Sequence, residues 1–250
     1  MSSYYRTAEI AKAVRVHPNT VRLYEAWGLI QPVGRNAAGY RLFTEDHLNQ
    51  MIIARTALRC EFTEGNIRTR AVEIVKTAAL GDYHRAYDLA VRHEDYITML
   101  QQRADEALDI IEAWISGTDA SGEPDPPLTR SQTASLLQIS ADVLRSWERE
   151  GLVEVPRRKN GYRQYTPEVL TRLKVIRTLR EAHYSMMALA RMFRRIDTLA
   201  PEQLRSVVDT PGPQETIVSA TDRWITTLRK SRNDALELAE LIASQISQNT

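Results

Sequence analysis

Residues 21–30 and 144–153 are versions of one another, and this duplication constrains the fold more than any other property of the chain. Sliding the 250-residue sequence by 123 positions sets Val21-Arg22-Leu23-Tyr24-Glu25-Ala26-Trp27-Gly28-Leu29-Ile30 against Leu144-Arg145-Ser146-Trp147-Glu148-Arg149-Glu150-Gly151-Leu152-Val153. Arg, Glu, Gly and Leu recur identically, and an aromatic recurs at Tyr24 and Trp147. With the offset reduced to 122, Gly39-Tyr40-Arg41-Leu42-Phe43-Thr44 meets Gly161-Tyr162-Arg163-Gln164-Tyr165-Thr166. Leu48 then meets Leu170, and Arg55-Thr56 meets Arg177-Thr178. The one-residue change of offset falls between the blocks, where a loop tip tolerates an insertion.

Each copy encodes the same succession of elements. In the first, Ile10, Ala11 and Val14 are spaced as on one helix face. Its counterpart starts Thr129-Arg130-Ser131-Gln132, a capping box in which Gln132 answers Thr129. A second helix begins after His17 with Pro18 at its first position, where the missing N–H costs nothing; Ser140 is the cap in the second copy. Gly28 and Gly151 end these helices in the left-handed conformation. Residues 29–33 and 40–43 flank a Gly/Asn-rich tip and predict a hairpin. In the second copy Arg157, Arg158 and Lys159 stand at the Asn160-Gly161 turn. A third helix begins at Thr44 and at Thr166-Pro167-Glu168, with cap, first-turn proline and acids in place. Helix, turn, helix, basic hairpin and helix describe a winged helix-turn-helix.

The formal net charge of +1 conceals an alternation. Residues 1–60, 61–120, 121–200 and 201–250 carry +4, −6, +5 and −2, so basic surface is concentrated where the duplicated modules lie. One cysteine, Cys60, excludes an internal disulfide framework and a multi-thiolate metal site, and the five histidines lack metal-ligand spacing. No apolar run is long enough for a membrane helix and the first residues lack a signal-peptide core, so a cytoplasmic, nucleoid-associated protein without membrane contact is expected. No Gly-rich phosphate loop, paired-carboxylate motif or nucleophile signature stands out, so neither an enzyme nor a cofactor is expected.

The blocks at 22–30 with 39–43, and at 145–153 with 161–165, resemble the MerR-type transcription regulators. The likeness extends through Phe62-Thr63-Glu64-Gly65-Asn66-Ile67 and Tyr184-Ser185-Met186-Met187-Ala188-Leu189, which look like the start of that family's fourth helix. The tandem arrangement is unusual, because typical members carry one such domain and dimerise. The resemblance implies a regulator that binds double-stranded promoter DNA at a pseudo-palindromic operator, bends or untwists it, and engages RNA polymerase indirectly through that distortion. An architectural or excisionase-like DNA-bending protein is the alternative. Arg22 and Arg145 on the recognition helices are the expected DNA contacts, against the alternative of a surface ion pair. Tyr24 and Trp147 are either contacts or core. Arg35, Arg41, Arg157, Arg158, Lys159 and Arg163 cluster on the wings, where cations neutralise phosphates. Tyr40 and Tyr162 are expected to combine both roles, the ring packed and the hydroxyl available to a phosphate. The copies differ at His17/Ser140, Asn19/Asp142, Thr20/Val143 and Leu23/Ser146, which predicts two non-identical half-sites. Asp142 either favours its helix N-terminus or accepts from a cytosine. Leu23 and Ser146 replace the first of two adjacent aromatics common in the family.

Between the copies, residues 117–127 are small, polar and proline-rich and read as a linker of at most about 33–36 Å over ten extended residues. Residues 82–116 and 214–247 lack an internal break and carry stripes at 3–4 spacing. The first stripe holds Ala90, His93, Ile97, Leu100, Ala104, Ala107, Ile111 and Trp114. The second holds Ile217, Thr221, Trp224, Leu228, Ser231, Ala235, Leu238 and Ile242. The expected organisation is therefore mainly α, with a winged helix-turn-helix at 1–80 and another at 128–200. Each is followed by a long coiled-coil-type helix, the whole forming an intramolecular pseudo-dimer. Tyr83, Tyr87, Tyr96, Trp114 and Trp224 either pack these helices or line an aromatic pocket for a small-molecule effector.

Overall fold

A computed structural model of the chain describes residues 4–59, 66–117, 127–159, 161–211 and 220–248. The expected positions Cys60, Phe62 to Gly65, Asn160 and Ile217, the body of the linker at 118–126 and the side chain of Thr221 lie outside the described residues. In chain order the elements are α1 (Thr7–Ala13), α2 (Pro18–Ala26), β1 (Gly34–Arg35), β2 (Arg41–Leu42), α3 (Glu45–Ala57), α4 (Ile67–Ala79) and α5 (Tyr83–Ile115). They continue with α6 (Arg130–Leu136), α7 (Ala141–Arg149), α8 (Pro167–Glu181), α9 (Met186–Arg195), α10 (Leu204–Asp209) and α11 (Trp224–Gln248).

The chain forms two compact units, one of residues 1–99 with 228–250 and the other of residues 100–227. Within each, the duplication is visible bond by bond. The strands' approach begins with Tyr5 paired to Phe43 in the first unit and Leu128 paired to Tyr165 in the second. The turn of each helix-turn-helix closes on a left-handed residue that is not glycine, Arg15 (φ 55°) and Gln138 (φ 53°). Beyond it the Val16 N–H donates to the Ala11 carbonyl at 2.9 Å and the Ile139 N–H to the Ala134 carbonyl at 3.0 Å. After Gly28 and Gly151 the same closure recurs, from Leu29 to Tyr24 at 2.8 Å and from Leu152 to Trp147 at 3.0 Å. Gly28 (φ 67°) and Gly151 (φ 74°) are left-handed as expected.

Caps follow the sequence closely. Thr129 and Gln132 exchange bonds as a capping box, and the Ser140, Thr166 and Ser185 hydroxyls accept from Val143, Val169 and Ala188. The cores also superimpose in sequence: Ala11, Val21, Leu29, Ile30, Phe43 and Met51 are buried, and so are Ala134, Leu144, Leu152, Val153, Tyr165 and Leu173. Thr133 takes the place of Ile10 and is fully buried; its hydroxyl donates to the Thr129 carbonyl at 2.9 Å, which removes the penalty of a polar group there.

Three expectations need correction. The first wing is shorter than predicted: residues 29–33 are not a strand, because Leu29 and Ile30 turn into the core beneath α2. The ladder contains only Gly34 opposite Leu42 and Arg35 opposite Arg41. The second wing keeps a single bridge, Arg157 to Arg163. The second long helix starts at Trp224, not near 214; residues 220–223 form a 3-10 turn, and a further short helix, α10, precedes them.

The first long helix, α5, has 33 residues, about 50 Å. Its expected stripe is buried at Ala90, His93, Ile97, Leu100, Ala104, Ala107 and Ile111, and half-buried at Trp114. On α11 the stripe is buried at Trp224, Leu228, Ser231, Ala235, Leu238 and Ile242. In the first unit the end of α11 is clamped to the first module: Arg59 at the end of α3 reaches Glu237 at 2.5 Å and Asp234 at 3.2 Å, and Asn49 donates to Gln245 at 2.9 Å. Arg232 also meets Glu94 of α5 at 2.8 Å. In the second unit the end of α5 is clamped to the second module. The Tyr184 hydroxyl donates to the Ala104 carbonyl at 3.2 Å, and Arg205 meets Asp105 and Asp109 at 2.5 Å and Glu112 at 3.3 Å. Each module thus holds the far end of the long helix that follows the other module.

Candidate nucleic-acid interface

The recognition helices α2 and α7 each run nine residues and are fixed from both ends. At the start of α2, His17 is exposed and engaged through one ring nitrogen: its Nδ1 accepts from the Asn19 N–H at 3.2 Å, which caps the helix. Ser140 does the same for α7 through the Val143 N–H at 3.2 Å. Asn19 is exposed and Thr20 half-buried on the following turn.

Arg22 and Arg145 are both exposed, but their surroundings differ. Asp142 lies 3.2 Å from Arg145, one turn before it, in a surface ion pair whose side chains are both exposed. In the first copy that position is Asn19, and among the described residues no acid pairs with Arg22. The aromatics expected at 24 and 147 are core: Tyr24 is 7% and Trp147 6% exposed. Tyr24 stacks at 6.5 Å on Trp27, whose own ring is exposed.

The wing residues separate into two kinds. Arg35 and Arg157 are exposed and cross the turn to the carbonyls of Gly39 and Gly161 at 3.0 and 3.3 Å. Tyr40 and Tyr162 are 66% and 73% exposed, so their rings are presented to solvent, not packed as expected. Arg158 and Lys159 are also exposed. Arg41 and Arg163, by contrast, face inward. Arg41 Nε donates to Glu25 of α2 at 2.6 Å, and Arg163 Nε donates to Glu148 of α7. These pairs tie each wing to its recognition helix. They position the wing, and the arginine side chains remain partly exposed, 24% at Arg41 and 29% at Arg163.

Glu148 is the more heavily engaged carboxylate. It is 10% exposed and also accepts from the buried Tyr165 hydroxyl at 2.7 Å, with Arg130 at 3.6 Å. Burial, then the bond to Glu148, raises the Tyr165 phenol above its ordinary value. In the first copy Phe43 replaces Tyr165 and Thr7 replaces Arg130, so among the described residues Glu25 has Arg41 alone. Sequence reasoning missed this tie as a function of the glutamates. Its signal was available, since Glu25/Glu148 and Arg41/Arg163 are identical in both copies and opposite in charge.

Five aromatics were expected either to pack or to line an effector pocket. Tyr83 is buried, Tyr96 lies 4.3 Å beneath the Arg70 guanidinium, and Tyr87 is exposed, all in the first unit. Trp224 is buried against His183 in the second unit, at 5.9 Å. Tyr83, Tyr96 and Trp224 thus make packing contacts, while Tyr87 is open to solvent and Trp114 half-buried. No group of three or more metal-ligating side chains occurs among the described residues, and no described helix is long and apolar enough to cross a membrane.

A repeated helix-turn-helix with a basic wing tied to its recognition helix defines a class of winged DNA-reading modules present twice in one chain. The family of MerR HTH regulatory proteins matches residues 5–69 and again residues 128–196, more than half of the sequence, and the chain belongs to that family. Over 64 residues it is 36% identical to the HTH-type transcriptional regulator ZntR of Escherichia coli (strain K12), covering 26% of this chain and 45% of that protein. Over 55 residues it is 34% identical to the HTH-type transcriptional regulator CueR of Escherichia coli O6:H1, covering 22% and 41%. CueR of Vibrio cholerae (O395) is 34% identical over 56 residues, covering 22% and 40%. The chain spans less than half the length of these relatives. No solved structure matches it significantly.

Proposed function

We propose that this protein is a sequence-specific transcriptional regulator of promoter DNA in which one chain supplies both half-site readers. It binds a pseudo-palindromic operator with the non-identical helices α2 and α7 in successive major grooves and the two wings on flanking phosphates. By bending or untwisting the duplex it alters how RNA polymerase meets the promoter. The observation that carries this reading is the recurrence, in each copy, of an exposed recognition-helix arginine beside an exposed basic wing held by a glutamate of that same helix. The reciprocal clamps at Arg59 and Arg205 support a covalent pseudo-dimer, since each module carries the far end of the other's long helix. Arg22, Arg145, Asn19, Thr20, Arg35, Arg157, Arg158, Lys159, Tyr40 and Tyr162 are the contacts in this reading. His17, Ser140, Tyr24, Trp147, Arg41, Arg163 and Asp142 position them.

Selection of bound duplexes from a random pool, followed by footprinting on genomic targets, tests the proposal. The expected result is a two-part site of unlike halves about one helical turn apart, located in promoters. Protection confined to recombination sites, or duplex binding without sequence preference, would overturn it.

A further inference from the structure

The two modules are built alike but charged differently. At the base of the second wing, a cleft of about 380 Å³ is lined by Thr129, Arg130, Arg158, Tyr162 and Arg163. Of its three guanidiniums, those of Arg130 and Arg163 meet the Glu148 carboxylate, and the four groups together carry a formal charge of +2. The wing turns are equivalent: the Gly161 N–H donates to the Arg158 carbonyl at 2.8 Å, and the Gly39 N–H to the Asn36 carbonyl at 2.9 Å. Arg158 therefore corresponds to Asn36, and Arg130, first residue of α6, to Thr7, first residue of α1. The matching set in the first copy, Arg6, Thr7, Asn36 and Arg41 against Glu25, carries only +1. Asn36 moreover spends its side-chain oxygen on the wing itself, accepting from the N–H groups of Ala38 at 3.1 Å and Tyr40 at 2.9 Å.

On the recognition helices the asymmetry runs the other way. Asp142 neutralises Arg145 at 3.2 Å, whereas Arg22 has Asn19 in that place. A guanidinium with its own carboxylate must give up that partner to pair with a base edge, while one without it meets the groove at no such cost.

We infer that the two copies divide the work: the cleft beneath the second wing holds a backbone phosphodiester and anchors the chain, while Arg22 of the first copy supplies most of the base discrimination. This rests on the proposed reading of the protein as a DNA binder. Phosphate contacts set affinity and its salt dependence without reporting sequence, and base contacts set discrimination.

The test uses the full chain, a duplex selected by it, and the same duplex with each half-site scrambled, titrated at several chloride concentrations. Replacing Arg158, which lines the cleft, and its exposed wing neighbour Lys159 by alanine is expected to weaken binding to all duplexes alike and to reduce the slope of log affinity against log salt by about 1.8, half of it from Arg158. Arg22→Ala is expected to lose about 10- to 100-fold of discrimination at the half-site the first copy reads, with a slope change of at most about 0.9. All three side chains are exposed, and circular dichroism checks that the variants fold. An unchanged slope in the double variant, or discrimination lost through Arg145→Ala and not Arg22→Ala, overturns the division of labour. A wild-type chain that binds no duplex, or binds every duplex equally, overturns the underlying reading instead.

Discussion

Removing the Glu148 carboxylate should loosen the second module far more than removing Glu25 loosens the first. Glu148 is 10% exposed and accepts from Arg163, 29% exposed, and from the buried Tyr165 hydroxyl. In Glu148→Ala, one charge-assisted bond is lost and a buried phenol proton is left without its acceptor. Charge-assisted bonds contribute about 1.5–3 kcal/mol, an unsatisfied buried donor costs about 1–3, and breaking a fully buried pair costs about 3–5. Since Arg163 retains some solvent, the lower end applies, about 3 kcal/mol. Among the described residues Glu25 has one partner, Arg41, and the two are 18% and 24% exposed. Glu25→Ala should cost about 1 kcal/mol, and its loss strands no buried hydroxyl because Phe43 stands where Tyr165 does. Hydrogen exchange read by mass spectrometry resolves the two modules separately. Amide protection in peptides covering residues 141–165 should fall about 100-fold in Glu148→Ala, and that of residues 18–43 under about 10-fold in Glu25→Ala. Equal losses in both variants would refute the assignment of these glutamates as wing ties of unequal strength.

Three further outcomes follow from other parts of the molecule. His93 is buried on α5, its Nδ1 has no hydrogen-bond partner among the described residues, and burial with the nearby Arg70 charge lowers its pKa to about 4. Between its ordinary 6.5 and that value the unfolded chain takes up a proton the folded one refuses, so stability falls as pH falls. At pH 5 the loss is about 2 kcal/mol, and urea unfolding of His93→Leu should show a smaller shift between pH 7 and 5 than wild type; equal shifts would contradict this. Alanine at Gly151 meets no atom within 4 Å but must adopt φ 74°, so calorimetry should show a loss of about 1–2 kcal/mol, and no change would mean the turn rearranges. Thr129→Ala removes the α6 cap and should cost about 1 kcal/mol in the same assay, whereas Thr129→Ser should restore it.

Much of this architecture was legible because the repeat supplied each reading twice. Pro18, Thr129, Ser140, Gly28 and Gly151 are local signals whose physics acts within one turn of helix, and the helices begin and end where they say. Residues 29–33 misled because an apolar run fits a strand and a buried loop equally well, and only the tertiary core beneath α2 decides between them. The left-handed turns at Arg15 and Gln138 gave no glycine to mark them. Among the site residues, exposure at Arg22 and Arg35 followed from position in the module, whereas that of the Tyr40 ring did not. The inward turn of Arg41 and Arg163 did not, because their carboxylate partners lie 16 and 15 residues earlier in the chain. The clamps at Arg59 and Arg205 join residues 178 and 100 positions apart, beyond the reach of any local pattern.

The central claim is that one chain does what two subunits would otherwise do. Sedimentation equilibrium of the full chain with a fluorescent duplex carrying one complete selected site tests it most directly. One chain per duplex, with the free protein also a single chain, is the predicted result. Two chains on one site, or a free protein that exists only as a dimer, would contradict it.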